Sequence, residues 1–239
     1  VTDANGNTAV TSGNVAQPSA LTTTSSAGSI NCNGGSTNVS ISANGGTAPY
    51  SVNGTGITGS TPMTGGNGSY SVVAGPYSYT VTDANGCKSV VSGTMTQPTV
   101  LTANSSAGTI LGNGLTTTVS ISAIGGTAPY TGAGTFTVGA GPYSFTVTDA
   151  NGCTTVVTGT LGQPNLLVAS STNNTVICNG GTATVNVSAT GGVGPYTGTG
   201  VYTVTAGAYS YTVTDANGNT AVTSGTVNQP SQLASAVTN

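Results

Sequence analysis

Four aspartates and four cysteines hold most of the reactive side-chain chemistry of this 239-residue chain. One lysine, Lys88, is the only other charged side chain, and arginine, histidine and glutamate are absent. Asp3, Asp83, Asp149 and Asp215 all fall in one recurring phrase. It reads YSYTVTDANGC at 77–87, YSFTVTDANGC at 143–153, YSYTVTDANGN at 209–219 and VTDANGN at 1–7. General acid–base catalysis needs a placed histidine, carboxylate pair or lysine at the reacting group. A serine or cysteine nucleophile needs a neighbouring base. One carboxylate per phrase supplies neither, so no catalytic residue, cofactor site or enzymatic activity is expected. Calcium takes about 6–8 oxygen ligands, usually including several carboxylates, which makes it the weaker reading of a lone aspartate. Zinc prefers cysteine or histidine at short spacing; Cys32, Cys87, Cys153 and Cys178 are separated by 55, 66 and 25 residues. No metal site is expected. Nucleic-acid binding requires lysine and arginine to displace phosphate counterions, and this composition excludes it. A lysine-dependent isopeptide cross-link cannot be general, because Lys88 serves one repeat only.

The bland reading of the phrase is structural. An alternating strand ends at Thr148, and Asp149-Ala150-Asn151-Gly152 then makes a tight hairpin turn. Aspartate suits the first turn position because its carboxylate accepts backbone N–H groups two residues on, while asparagine and glycine tolerate positive φ. Asp3, Asp83, Asp149 and Asp215, with Gly86, Gly152 and Gly218, are therefore read as turn residues.

The elements that position these turns recur. Gln-Pro falls at 17–18, 97–98, 163–164 and 229–230, in steps of 80, 66 and 66 residues, and the aspartates follow the same steps. GGTAPY at 45–50 and 125–130 and GGVGPY at 191–196 mark another fixed point. Fixed-period self-similarity is the signature of a repeat architecture. It divides the chain into three repeats, 19–98, 99–164 and 165–230, with 1–18 as the tail of a preceding repeat and 231–239 as the start of a following one. The first repeat carries 14 extra residues between Tyr50 and Tyr77, expected to form an enlarged loop or an added hairpin. Residues 1–13 are identical to 213–225, so the three repeats read as one unit of a higher-order repeat. The chain begins and ends inside a repeat and reads as a window on a longer protein.

Each repeat reads as all-β. Val119, Ile121 and Ala123 alternate with Thr118, Ser120 and Ser122, and Tyr143, Phe145 and Val147 with Ser144, Thr146 and Thr148. A period of two marks strands with one buried face. Six or seven short strands in 66 to 80 residues suggest a small immunoglobulin-like sandwich, so the chain is expected to be a tandem array of such modules. Hydrophobic residues make up 36% of it, unlike a disordered segment. No apolar run reaches the about 18 residues of a membrane span, and no membrane insertion is expected.

Together these pieces resemble the SprB-type repeat of gliding-motility adhesins of Bacteroidota. The matching residues are Cys32-Asn33-Gly34-Gly35, Gly45 to Tyr50, Ala74-Gly75-Pro76-Tyr77, Thr80 to Cys87 and Gln97-Pro98, and the likeness recurs along the whole chain. It implies a very large cell-surface protein, exported by the type IX system, that forms long extracellular filaments adhering to a substratum. This chain departs from the pattern at Gly112 and Asn219, where the repeat carries cysteine, and in lacking a tryptophan after the PY motif.

Cysteines in even number in a secreted protein argue for disulfides. One slot follows the first strand (Cys32, Gly112, Cys178) and the other follows the Asp-Ala-Asn-Gly turn (Cys87, Cys153, Asn219). Pairing within a repeat joins Cys32 to Cys87 and strands Cys153 and Cys178. If first and last strands run parallel, slot one of each repeat instead meets slot two of the next. That pairs Cys32 with Cys153, sets Gly112 against Asn219, and leaves Cys87 and Cys178 for neighbouring repeats outside the window. An even strand count would break the scheme, and free thiols stay open as a third reading.

The favoured function is a stalk, with neighbouring repeats of the same chain as partners. The alternatives are a lateral multi-chain fibre of further copies, since uncharged strand edges lack the usual lysine protection, and a module binding surface polysaccharide through Tyr50, Tyr70, Tyr130, Tyr196 or Tyr202. Asn38, Asn53, Asn67, Asn104, Asn173 and Asn186 match the glycosylation sequon, in a composition where chance matches are expected.

Overall fold

A computed structural model describes residues 1–57 and 59–235. The protein is all-β, with several small sheets and no helix among the described residues. It divides into two compact units. One contains Val1–Thr102, Gly125–Pro129 and Asp149–Cys153; the other contains Ala103–Ile124, Tyr130–Thr148 and the chain from Thr154 onward.

In the first unit, repeat 1 supplies β1 (Thr22–Ala27), β2 (Ser36–Asn44), β3 (Tyr50–Gly54), β4 (Thr61–Met63), β5 (Asn67–Val73), β6 (Gly75–Thr82) and β7 (Lys88–Met95). They form two sheets, β1-β2-β5 and β4-β3-β6-β7, with every named pair antiparallel. One core draws on both sheets: Val39 and Ile41 from β2, Val72 from β5, Val52 from β3, Met63 from β4, Tyr77, Tyr79 and Val81 from β6, and Met95 from β7. The period of two puts these residues on one face; β2 alternates exposed and buried positions along its length. Fully burying one such side chain is worth about 1.5–3 kcal/mol.

In the second unit, apart from Thr102, repeat 2 supplies β8 (Thr102–Ala107), β9 (Thr117–Ile124), β10 (Gly134–Val138), β11 (Gly141–Thr148) and β12 (Thr154–Leu161). Repeat 3 supplies β13 (Val168–Asn173), β14 (Thr182–Thr190), β15 (Gly200–Thr205), β16 (Gly207–Thr214) and β17 (Thr220–Val227). Each repeat here has one three-stranded and one two-stranded sheet around its own buried cluster. Val119, Ile121 and Val147 centre the first of these, and Val185, Val187 and Val213 the second.

The expectation of six or seven strands holds for repeat 1 and overestimates the other two, which have five named strands each. Where repeat 1 has the five-residue strand β3 paired with β6, repeats 2 and 3 keep a single bridge, Thr131↔Thr148 and Thr197↔Thr214. The insertion makes the difference. It extends β3 and adds β4 as its hairpin partner before the chain crosses to β5. Because it adds strands in a pair, the count stays odd in all three repeats.

An odd count returns the chain parallel to its start, and the contacts agree. In repeat 1, the Thr23 and Ser89 hydroxyls lie 2.9 Å apart, and farther along both segments Asn33 Nδ2 donates to the Pro98 carbonyl at 3.0 Å. In repeat 3, Ser171 meets Thr223 at 2.8 Å, and Asn179 Nδ2 donates to the Pro230 carbonyl at 3.0 Å. First and last strands therefore run side by side in one direction. The turn after the first strand lies at one end of the last strand and the Asp-Ala-Asn-Gly turn at the other, about 27 Å apart for eight extended residues.

The expected start of a following repeat, 231–239, forms no strand over 231–235, and 236–239 lie outside the described residues. Residues 1–18 are exposed, with one bridge, Thr2↔Thr8.

Candidate functional site: the turns and the junctions they build

The Asp-Ala-Asn-Gly turn is a three-residue hairpin loop. Gly152 N–H donates to the Asp149 carbonyl at 3.1 Å and Asp149 N–H to the Cys153 carbonyl at 2.9 Å. Gly152 closes the loop at φ 82°, a left-handed conformation that glycine adopts without a Cβ penalty. Asparagine does not share that duty: among the described residues every positive φ belongs to a glycine. This corrects the expectation that Asn151 is placed for its backbone tolerance. Its side chain is what the turn uses.

Three of the four carboxylates do more than cap their own turns. Asp149 Oδ1 accepts the N–H groups of Asn151 and Cys153, both at 2.9 Å, and Oδ2 accepts Thr127 N–H at 2.9 Å from the Gly-Gly-Thr loop. Asp83 and Asp215 repeat the pattern, with Oδ2 holding Thr47 N–H at 2.9 Å and Val193 N–H at 3.1 Å. These three carboxylates are buried. The second glycine of the Gly-Gly pair follows from this contact: a Cβ on Gly126 would meet the Asp149 carboxylate, and its φ is 58°. Asp3 makes the local bonds, to Asn5 and Asn7, and stays exposed.

Hydrogen bonds to the ionised form hold all four carboxyls below the ordinary aspartate range. Thr47 N–H has the largest influence at Asp83, with burial opposing it. At Asp149 burial is the largest single influence and raises the value, but the N–H groups of Thr127, Cys153 and Asn151 together outweigh it. The Asn219 amide leads at Asp215, and the Asn7 amide at Asp3. Both oxygens of each buried carboxylate accept N–H groups.

The opposite turn has its own clamp, built from the Gln-Pro marker. Gln97 Oε1 accepts Gly34 N–H at 2.7 Å while Asn33 Nδ2 donates to the Pro98 carbonyl. Gln163 with Gly114 (2.8 Å) and Gln229 with Gly180 (2.9 Å) do the same. Nothing in the sequence reading assigned Gln-Pro a role beyond punctuation. An Asn-Gly after the first strand and a Gln-Pro recur once in every repeat, and the separation of that glycine from the glutamine, 63, 49 and 49 residues, changes only with the insertion in repeat 1.

The two kinds of turn meet at junctions. In the first unit Cys32 and Cys153 form a disulfide with a Cα–Cα distance of 5.7 Å. This is the pair named by the strand-parity scheme, and the alternative Cys32–Cys87 pairing is not formed. Beside it, Asn151 Nδ2 donates to the Asn31 carbonyl at 3.0 Å and to Thr127 Oγ1 at 3.0 Å. In the second unit the equivalent positions are Gly112 and Asn219. Asn217 and Asn219 each donate an amide hydrogen to the Leu111 carbonyl at 2.8 Å. A Cβ on Gly112 would strike the Asn219 side chain. The two departures from cysteine thus face one another, with a residue lacking a side chain making room for a longer one. Cys87 and Cys178 are free and exposed.

The tyrosines offered as a binding platform are half-buried. Tyr50 and Tyr196 donate their hydroxyls to the Gly45 and Gly191 carbonyls at 2.7 and 2.6 Å. Tyr70 and Tyr202 pack on Tyr79 and Tyr211 with ring centroids 5.2 and 4.2 Å apart, and Tyr130 packs against the repeat 2 core. The sequon asparagines Asn38, Asn53, Asn67, Asn104, Asn173 and Asn186 are all exposed and all lie on strands. Asn67 accepts the Ser42 hydroxyl and Asn173 the Tyr209 hydroxyl through their Oδ1 atoms.

Compared with known proteins, the chain matches no family model and no curated protein. The disulfide fits an oxidising, non-cytoplasmic location.

Proposed function

We propose that this chain is a stalk region of a large secreted cell-surface adhesin, built from tandem immunoglobulin-like sandwiches of the SprB type and serving attachment or gliding. The observation that carries the reading is the repeated junction. Twice, the turn after a first strand is tied to the Asp-Ala-Asn-Gly turn of the next repeat, once by Cys32–Cys153 and once by amides on the Leu111 carbonyl. Asp83, Asp149, Asp215, Cys32 and Cys153 are spent on these ties and on the turns themselves. A surface of hydroxyls and amides with 2% charged residues gives salt little to screen, as suits a filament exposed to changing water. Type IX export and the adhesive end belong to the same proposal.

Single-molecule pulling on the 239-residue chain tests it. A stalk gives separate cooperative ruptures for the repeats, and the 121-residue span closed by Cys32–Cys153 releases its length only after reduction. Continuous unravelling at negligible force, or a specific hit on a glycan array lost on replacing one tyrosine, would overturn it.

A further inference from the structure

Ten asparagines in this chain precede a glycine. Asparagine is a thermolabile residue, and most so before glycine, which has no side chain to hinder ring closure. The glycine nitrogen loses its proton and bonds to the asparagine Cγ; the Cγ–Nδ2 bond breaks and ammonia leaves. Water then opens the cyclic imide to aspartate or isoaspartate, with no oxidant or reductant required.

The attacking nitrogen is occupied wherever the pair belongs to a recurrent turn. Gly34, Gly114 and Gly180 N–H donate to Gln97, Gln163 and Gln229 Oε1 at 2.7, 2.8 and 2.9 Å. Gly6, Gly86, Gly152 and Gly218 N–H donate to the Asp3, Asp83, Asp149 and Asp215 carbonyls at 3.1, 3.0, 3.1 and 3.1 Å. Asparagine amides are held as well: Asn33 and Asn113 on the Pro98 and Pro164 carbonyls, Asn151 on Asn31 and Thr127, and Asn217 on Leu111. Ring closure at these pairs must first break bonds on both groups.

Three pairs lie outside these turns. Asn53 and Gly54 are laddered to β6, opposite Thr80 and Tyr79. The Asn67 amide is engaged at both ends, Oδ1 by the Ser42 hydroxyl and Nδ2 on the Gly65 carbonyl. Asn44-Gly45 has neither restraint. Asn44 is exposed at the last position of β2. Its carbonyl takes the Thr22 hydroxyl and the Gly45 carbonyl takes the Tyr50 hydroxyl. Among the described residues the Asn44 amide and the Gly45 N–H make no hydrogen bond. Ile124 and Thr190 stand at the equivalent positions of repeats 2 and 3, so the exposure to this chemistry belongs to repeat 1.

We infer that Asn44 is a site of spontaneous modification, converted to aspartate and isoaspartate through a cyclic imide with Gly45, and that the Gln-Pro clamp guards the Asn-Gly pairs it holds. The inference is independent of the adhesin reading. The product adds a carboxylate to a chain of net charge −3. The isoaspartate form also lengthens the main chain by one methylene, just before the Thr47 N–H that Asp83 holds.

The full chain is incubated in mildly alkaline buffer and mapped by peptide mass for loss of ammonia and gain of water, with isoaspartate counted by enzymatic methyl transfer. A sample unfolded in urea gives each pair its unguarded rate. In the folded wild type, Asn44 is modified at least several-fold faster than Asn33, Asn113 or Asn151, and unfolding removes the difference. Gln163→Ala raises the Asn113 rate several-fold with Asn151 unchanged, whereas Gln163→Glu, which keeps an acceptor oxygen for Gly114 N–H, leaves Asn113 guarded. Asn44 no faster than Asn113 in the folded chain would overturn the site. An Asn113 rate equal in the two variants would overturn the guard, as would Asn113 and Asn151 rising together, which reports loss of the repeat rather than of one bond.

Discussion

Asp149 and Asp3 sit in the same phrase with different company. Both accept N–H groups from their own turn, but Asp149 also holds Thr127 N–H, while Asp3 is exposed. Replacing Asp149 with alanine is expected to lower the melting temperature clearly, because it leaves buried donors unpaired, and Asp3→Ala to leave it within error. Thermal scans of the two variants check this. The sign of the pH dependence follows from the depressed values. A carboxyl whose folded value is lowered adds stability above its unfolded value, and that stability is lost as pH falls through the folded one. With no histidine or glutamate in the chain, stability should stay flat from about pH 5 to 8 and decline below about pH 4; a slope near pH 6.5 would contradict it. Tyr79 makes a second test. Its hydroxyl is buried without a partner and burial raises its titration point, whereas repeat 2 has Phe145 at the equivalent position. Tyr79→Phe should hold or gain stability by about 1 kcal/mol, since an unmet buried hydroxyl costs roughly that. A chemical denaturation curve decides, and a loss of more than about 1 kcal/mol would refute it.

At the scale of elements, strands and turns were legible in residue order because their causes are local. The alternation of Val119, Ile121 and Ala123 is the burial pattern of β9, and the Asp-Ala-Asn-Gly turn sits where the alternation stops. Long-range partners were less legible. Gln97 holds Gly34 from 63 residues away and Asn151 reaches Asn31 from 120; periodicity shows that such phrases recur, not which ones touch. Strand parity was the exception, since it turns a count into a direction. It also makes a prediction. The insertion adds strands in a pair, so deleting residues 52–65, which joins Ser51 to Gly66 as Thr131 joins Gly132 in repeat 2, should preserve parity. The variant should be less stable, because Val52 and Met63 leave the core, yet retain Cys32–Cys153 in a non-reducing peptide map. A shift to Cys32–Cys87 would mean that parity does not place the bridge.

Along the whole molecule the two closed junctions are alternatives on one plan. Where Cys32 meets Cys153 the tie is covalent; where Gly112 meets Asn219 it is two amide hydrogen bonds to one carbonyl. The residues are matched, so neither half can change alone. Gly112→Cys by itself drives a side chain into Asn219, and Asn219→Cys by itself removes the amide bonds to Leu111 and Asp215. Both singles should lower the melting temperature. Gly112 does not have a positive φ, so its backbone accepts a side chain. The double variant should therefore form a bridge and exceed the wild type in oxidising buffer, while falling below it once reduced. A bond across a loop of roughly one hundred residues removes chain entropy worth at most about 4.7 kcal/mol from the unfolded state. The two substitutions should thus be strongly non-additive, as contacting residues are. Measured against the two singles in the presence and absence of reductant, additive effects or two free thiols in the double variant would show that Gly112 and Asn219 do not occupy the positions that Cys32 and Cys153 hold.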